Sequence, residues 1–307
     1  MKKLLISCLL AFFALEAMAQ QDPMYTNYMF NKLVINSGYT GSKDRATAVA
    51  LYRTQWTGLE GAPKTTSFSF HTPLMGWAKN VNVGISAVHD KLGISQDLDL
   101  ALHAAYRLDL GVGRLGMGLS GQVRRRQMSW QSANGFQQYD PGIPANDDLV
   151  APNFGAGLYY DMPNFYAGFS LPNLLETSYD FDQAAASTSS EAVQRRHMFF
   201  MTGGVVELSP TVKFLPSGLL KYESNSPVEL DVNASVLLAE TFQLGMTYRT
   251  GDAVAALVHF FFKQLRFGYS YDFGLSELNQ HHSGTHEIML GIDFGKKSKG
   301  IDHPRYF

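Results

Sequence analysis

The sequence predicts an all-β protein, a transmembrane antiparallel β-barrel of about 14 strands with a short N-terminal periplasmic segment. Three observations predict this fold. The chain begins with an export signal, it repeats stretches in which apolar and polar residues alternate, and the connections between these stretches sort by length. Outer-membrane barrels combine these features.

The export signal is predicted over residues 1–19. Lys2 and Lys3 are followed by an apolar run, 4–15, which is too short to span a bilayer as a helix. The small-residue pattern Ala-Met-Ala that ends at Ala19 is typical of a cleavage site. We therefore expect cleavage after this residue and an outer-membrane location.

The composition argues against several functions. A net charge of -2 gives no electrostatic basis for binding nucleic acid. The only cysteine, Cys8, lies inside the predicted signal, so the mature chain is expected to lack disulfides and thiolate metal ligands. His281, His282 and His286 lack companion ligands at a recognisable metal-site spacing, and we interpret them as part of a solvated loop. Because no catalytic motif is present, we predict a protein that is not an enzyme and needs no cofactor or metal.

Alternation of apolar and polar residues is clearest over residues 97–110, where apolar residues, five of them leucines, recur at every second position opposite a face that carries charged residues. A period of two indicates a β-strand rather than a helix. Four more stretches share this period: 228–238, 242–249, 265–272 and 286–294. Less regular strands are predicted near 45–55, 64–72, 80–89, 114–126, 152–161, 164–171, 196–207, 211–222 and 253–262. The barrel is thus predicted over 45–294, after an N-terminal periplasmic or plug segment at 20–44 and before a C-terminal periplasmic tail at 295–307.

The links between predicted strands differ in length in a regular way. Tight links are predicted at 161–164, 208–210, 239–241 and 263–264. Longer links are predicted at 127–151, 172–195, 223–227 and 273–285. Short periplasmic turns and longer outer loops are typical of these barrels, so we expect the second group to face outward. Two inner links, at 73–79 and 110–114, are predicted to be longer than this rule requires.

Two segments are unlike a generic porin. Residues 21–31 read QDPMYTNYMFN, with INSGYTG at 35–41, and residues 52–65 read YRTQWTGLEGAPKT, with a His-Thr-Pro at 71–73. Together with HEIMLG at 286–291 and PRYF at 304–307, they resemble the PorP/SprF family of type IX secretion system membrane proteins. One departure is Ser-Gly at 37–38, where the family tends to Pro-Ala, and it loosens the local backbone.

The resemblance implies a barrel that serves type IX secretion or gliding motility. Its implied partners are a secreted surface protein with a C-terminal sorting domain and periplasmic, peptidoglycan-linked components of the machine. The alternative is a passive porin or small-solute transporter. An open lumen would favour the porin, whereas a plugged lumen would favour the docking protein.

The candidate site follows from the same two segments. Exposed aromatic side chains in a periplasmic tail need a cover, which is either the barrel lumen or a partner protein. The predicted partner-binding residues of this tail are Tyr25, Tyr28, Met29, Phe30 and Tyr39. Those of the first outer hairpin, at the opposite rim, are Arg53, Trp56 and Pro63. A run of three arginines, 124–126, suits lipopolysaccharide phosphates or a plain solvated rim equally well.

Overall fold

A computed structural model describes residues 23–74, 80–130, 147–179, 192–224 and 226–295. The predicted export signal at 1–19 and nearly all of the predicted tail at 295–307 lie outside the described residues.

The described residues form seventeen strands, most of them in one antiparallel ring. The strands are β1 Thr47–Thr54, β2 Lys64–Pro73, β3 Val81–Leu92, β4 Ser95–Leu110, β5 Gly113–Met128, β6 Asp147–Met162, β7 Phe165–Leu171, β8 Thr177–Tyr179, β9 Ala192–Gln194, β10 His197–Gly204, β11 Val206–Ser209, β12 Val212–Glu223, β13 Glu229–Leu238, β14 Phe242–Arg249, β15 Ala253–Phe262, β16 Leu265–Gly274 and β17 Thr285–Asp293.

The ring is closed by two pairings. The first barrel strand, β1, pairs with the last, β17, and β10 pairs with both β7 and β12. Because β10 and β11 are two parts of one strand interrupted at Val205, and β8–β9 is a separate hairpin, the barrel has 14 strands. This confirms the predicted fold class, and each of the fourteen predicted strands is present.

The alternation predicted for β4 separates two surfaces. Leu102 points outward with 69% of its surface exposed, whereas the next residue, His103, points into the barrel and is 7% exposed. The same outward apolar pattern recurs around the ring, for example at Leu119, Met246 and Ile288. An outward apolar band around the ring is the surface with which a transmembrane barrel faces lipid.

The strand connections define two ends of the barrel. At the short-turn end, the links are 74–80, 111–112, 163–164, 210–211, 239–241 and 263–264. At the long-loop end, they are 55–63, 93–94, 129–146, 172–196, 224–228, 250–252 and 275–284. Two links at the long-loop end, 93–94 and 250–252, are also tight, so the sorting is less strict than the sequence suggests. The prediction of a longer link at 110–114 is wrong, because strands β4 and β5 meet in a two-residue turn.

Three neighbouring strands extend past the rest at the long-loop end. Strands β4, β5 and β6 each have 16 residues, whereas a barrel strand needs roughly 9–11 to cross the membrane. The surplus residues form a short wall of sheet above the rim.

Among the residues that the structure describes, the helices are short: α1 Lys32–Ile35, the 3-10 turn η1 Ser37–Tyr39 and the 3-10 turn η2 Glu277–His281. Across the described part of the chain, no helix is long and apolar enough to span a membrane. Helix α1 and turn η1 belong to residues 23–46, which lie inside the ring and are here called the lumenal segment. Most of its side chains are buried.

Candidate functional site: the occupied lumen

The lumenal segment runs through the barrel from one end to the other. At the short-turn end, Asp44 accepts two hydrogen bonds from Arg114, at 2.7 and 2.8 Å, and Lys43 Nζ lies 3.6 Å from Asp293 Oδ1. Arg114 is the second residue of β5 and Asp293 is the last residue of β17. From there the segment passes through the middle of the ring, and Thr26 reaches the long-loop end.

The tip of the segment is held by ionised side chains. The backbone N–H groups of Thr26 and Asn27 donate to the two carboxylate oxygens of Glu287, at 3.0 and 2.7 Å. The Thr26 hydroxyl donates to Asp272 and accepts from Arg53 Nη1 at 2.9 Å. Buried carboxylates are costly unless they are paired and hydrogen-bonded, and both requirements are met here.

Arg53 forms ion pairs with both carboxylates, those of Asp272 and Glu287. Its Nη1 lies 3.1 Å from Glu287 Oε2, and its Nη2 lies 2.9 Å from Asp272 Oδ2. A second arginine, Arg249, lies 3.0 Å from Asp231 Oδ1 and 3.7 Å from Asp272 Oδ2. We call Arg53, Asp231, Arg249, Asp272 and Glu287 the anchor cluster. It ties strands β1, β13, β14, β16 and β17 to the segment and to one another.

Aromatic packing fixes the middle of the segment. The Phe30 ring lies 4.6 Å from that of His259, and the Tyr39 ring lies 5.1 Å from that of Tyr159 in an edge-to-face arrangement. The Lys32 ammonium stands 3.9 Å above the ring of Tyr166, a cation–π geometry. Because these side chains fill the space between the walls, the described residues leave little room for a continuous pore at this level.

Inward-facing glycines on β5 and β6, here called the glycine bed, let the segment pack directly against the barrel wall. A Cβ atom on Gly116, Gly118 or Gly157 would overlap with the backbone or side chain of residues 36–38. Conversely, a Cβ atom on Gly38 would lie 2.8 Å from the carbonyl oxygen of Gly157. Only glycine permits two backbones to approach this closely. The Ser-Gly pair at 37–38, expected from the sequence to loosen the backbone, therefore allows tight packing, because residue 38 has no side chain.

Above the segment, a cavity of about 100 Å³ opens at the long-loop end. We call this cavity the cup. Its floor contains apolar side chains of the lumenal segment, including Tyr25, Tyr28 and Ile35. Its walls carry charges of both signs, from Asp99, Arg124, Lys221, Glu229 and Asp231.

The structure places the predicted site residues in two groups. Tyr25, Tyr28, Met29, Phe30 and Tyr39 are all buried inside the barrel. Of the two covers considered for these aromatic residues, the lumen covers them in this structure, and their contact with a partner stays a prediction. The described part of the segment crosses the lumen to the end that carries the long loops.

The first hairpin lies at the same end as the tip of the segment and not opposite to it. Arg53 belongs to the anchor cluster and is buried. Trp56 and Pro63 are half-buried in the link 55–63. The backbone N–H of Trp56 donates to Thr285 Oγ1 at 3.1 Å, and the backbone N–H of Thr57 donates to the Gly284 carbonyl at 2.8 Å. This link therefore packs against the link 275–284.

The three consecutive arginines lie on the wall of sheet above the rim. Arg124 pairs with Asp99 at 2.6 Å, Arg126 pairs with Asp97 at 2.5 Å, and Arg125 pairs with Asp148. Their charges are thus neutralised within the chain. Within the described residues, no group of three or more His, Cys, Asp or Glu is placed to hold a metal ion.

Sequence reasoning missed Thr26, Asn27, Asp272 and Glu287. Asp272 and Glu287 lie within two of the alternating stretches, but nothing in one strand tells which lumenal charge meets the segment. A usable signal was present in the glycines that recur at alternate inward positions, 116 and 118 on β5 and 155 and 157 on β6. Inward glycines on adjacent strands indicate a close approach of another backbone.

A closed ring with an outward apolar band and an internal segment defines an outer-membrane β-barrel with an occupied lumen. The chain belongs to the family of type IX secretion system membrane proteins PorP/SprF, whose model matches residues 17–292.

Solved structures include similar barrels. The Acinetobacter baumannii outer membrane protein Omp33 is 7% identical, with a TM-score of 0.47, over 81% of this chain and 98% of that chain. A Pseudomonas aeruginosa FadL homologue is 10% identical, with a TM-score of 0.46, over 81% and 89%. The translocator domain of the autotransporter NalP from Neisseria meningitidis is 10% identical, with a TM-score of 0.43, over 82% and 88%. A comparison with curated proteins finds no match.

Proposed function

We propose that this barrel is a non-enzymatic docking protein of the type IX secretion and gliding machinery. It retains a secreted surface protein, one with a C-terminal sorting domain, at the long-loop end, and it contacts peptidoglycan-linked components at the short-turn end. The signal-peptide and loop patterns support a long-loop end that faces the cell exterior. Family membership supports the choice of machinery.

The observation that carries the proposal is the occupied lumen. A passive porin needs a water-filled bore, whereas here Tyr28, Leu33 and Tyr39 are each no more than 4% exposed in the middle of the ring. A barrel filled in this way suits an anchor better than a transporter of small solutes.

The cup is the surface that we assign to the secreted protein. It combines an apolar floor with charged walls, a mixture typical of sites that hold polypeptide. Lipopolysaccharide at the three arginines, 124–126, is a lesser part of the proposal, since each guanidinium already has a carboxylate partner.

The docking role is tested by filling the cup. Ala101 is buried in the cup wall, so Ala101→Trp should occupy the space and reduce both copurification and surface display of the retained protein. Ala256→Trp, on the outward face of β15, is the matched control and should change neither. If the Ala101→Trp barrel assembles and retains its partner at the wild-type level, the cup is not the docking site.

The porin alternative is tested by planar-bilayer recording of the purified full chain. A docking barrel with an occupied lumen should show no stable open channel. Steady conductance of the size expected for a water-filled barrel would favour the porin instead.

A further inference from the structure

We propose that the first described residues, Pro23 to Tyr25, form part of the protein's cell-surface face and contact the retained polypeptide directly. This inference deepens the proposed docking role and rests on it for the identity of the partner. The position of these residues in the barrel does not depend on the docking role.

The first step is the direction of the lumenal segment. Asp44 is tied to Arg114 at the short-turn end, and Thr26 is tied to Glu287 at the other. Glu287 is the third residue of β17, which starts at the long-loop end. The segment therefore rises through the barrel in the direction opposite to its sequence order, with its lowest residue numbers nearest the long loops.

The second step is that the lumen below the tip is filled. Directly below Thr26, the ring is filled by Tyr28, Leu33 and Ile35, which are 1%, 1% and 6% exposed. Protein interiors at this density do not admit a second pass of chain. Pro23, Met24 and Tyr25, which come just before the tip, thus lie on the long-loop side of this filled level.

The third step is the surface that these residues make. Pro23, Met24 and Tyr25 line the cup together with charged wall residues such as Asp99 and Arg124. Pro23 and Met24 are half-exposed, whereas Tyr25 is buried against the floor. A polypeptide seated in the cup would therefore touch the start of the lumenal segment as well as the barrel wall.

The position is tested by cysteine labelling on intact cells. Cys8 is the chain's only cysteine, so the unmodified chain supplies the background. Met24→Cys should react with a membrane-impermeant maleimide on intact cells, as should Ser224→Cys in an exposed link at the long-loop end. Ser209→Cys, in the turn region of the other end, should react only after permeabilisation. If Met24→Cys reacts only together with Ser209→Cys, or in neither condition, the inference is overturned.

The contact is tested by cross-linking through the same cysteine. A short thiol-reactive photo-cross-linker on Met24→Cys should capture the secreted protein that copurifies with the barrel, whereas one on Ser209→Cys should not. Labelling of Met24→Cys on intact cells without capture of a copurifying protein would refute the contact and leave the position standing. A chain that copurifies with no secreted protein would refute the docking role itself.

Discussion

The carboxylate of Glu287 accepts a hydrogen bond of 3.0 Å from the backbone amide of Thr26, a residue 261 positions earlier in the chain. Glu287 is fully buried, and its charge is balanced by Arg53. The contact fastens the tip of the lumenal segment to the last barrel strand, so we expect it to help keep the lumen closed.

Neutralising this carboxylate should loosen the segment. In Glu287→Gln, Arg53 loses one partner in a buried network, a change that typically costs about 3–5 kcal/mol. Because the strand pairing is untouched, the barrel should still assemble, but purified protein should show transient channel openings in planar bilayers. Asp148→Asn, which removes the partner of exposed Arg125, is the control and should leave the lumen closed. A silent Glu287→Gln barrel would show that the anchor cluster does not hold the segment.

The glycine bed makes a second prediction. Gly118→Ala would drive a Cβ atom into the backbone of Ser37, and overpacking of this kind typically costs about 1–3 kcal/mol. Gly121→Ala adds the same methyl group on the same strand where nothing lies within 4 Å. We expect Gly118→Ala alone to lower the unfolding temperature in heat-modifiability gels and to increase conductance. Equal behaviour of the two variants would contradict the close approach.

The strand register makes a third prediction. Leu102→Arg places a charge on the outward face and should destabilise the barrel by roughly 2–4 kcal/mol if the residue lies near the bilayer centre. His103→Arg, one residue later, points toward the cup and should have a much smaller effect. Folding titrations into lipid vesicles measure the difference. Similar losses of stability in the two variants would contradict the assignment of Leu102 to the outward face of β4 and His103 to the inward face.

The aromatic residues of the segment make a fourth prediction. Tyr28 donates to or accepts from Ser217 Oγ at 3.0 Å, and Phe30 packs on His259, so Tyr28→Ala with Phe30→Ala removes much of the filling. Each large-to-alanine change in a packed core typically costs about 3–5 kcal/mol. We expect the double variant to reach the outer membrane with an open lumen and reduced surface display of the retained protein. Normal display with a closed lumen would remove these residues from the functional site.

The barrel was predictable because alternation is a local signal. Strands whose inner face is polar, such as β4, show a clear period of two in the sequence. Strands that meet the lumenal segment through apolar inward residues show this period less clearly. In β1 the inward Val49 and Leu51 lie between outward apolar residues, and β15 carries the inward Leu257 in an almost wholly apolar run. Their irregular pattern, which weakened the prediction of single strands, is a consequence of the occupied lumen.

The site was less predictable because it depends on contacts between distant parts of the chain. Arg53 was singled out by its motif, but its partners Asp272 and Glu287 are more than 200 positions away. A single sequence contains no signal that links residues at such separations. The sequence leaves the segment's path open between a periplasmic and a plug position for the same reason, since both of its ends are fixed by side chains of other strands.

The distance in sequence between Thr26 and Glu287 has a consequence for biogenesis. The lumenal segment is synthesised before β17, the strand that carries its anchor. Until β16 and β17 have joined the ring, the tip has no carboxylate to bind, and Arg53 has no counter-charge. Closure of the lumen therefore depends on the last two strands of the ring, and a barrel that lacks them would leave the tip of the segment without its anchor.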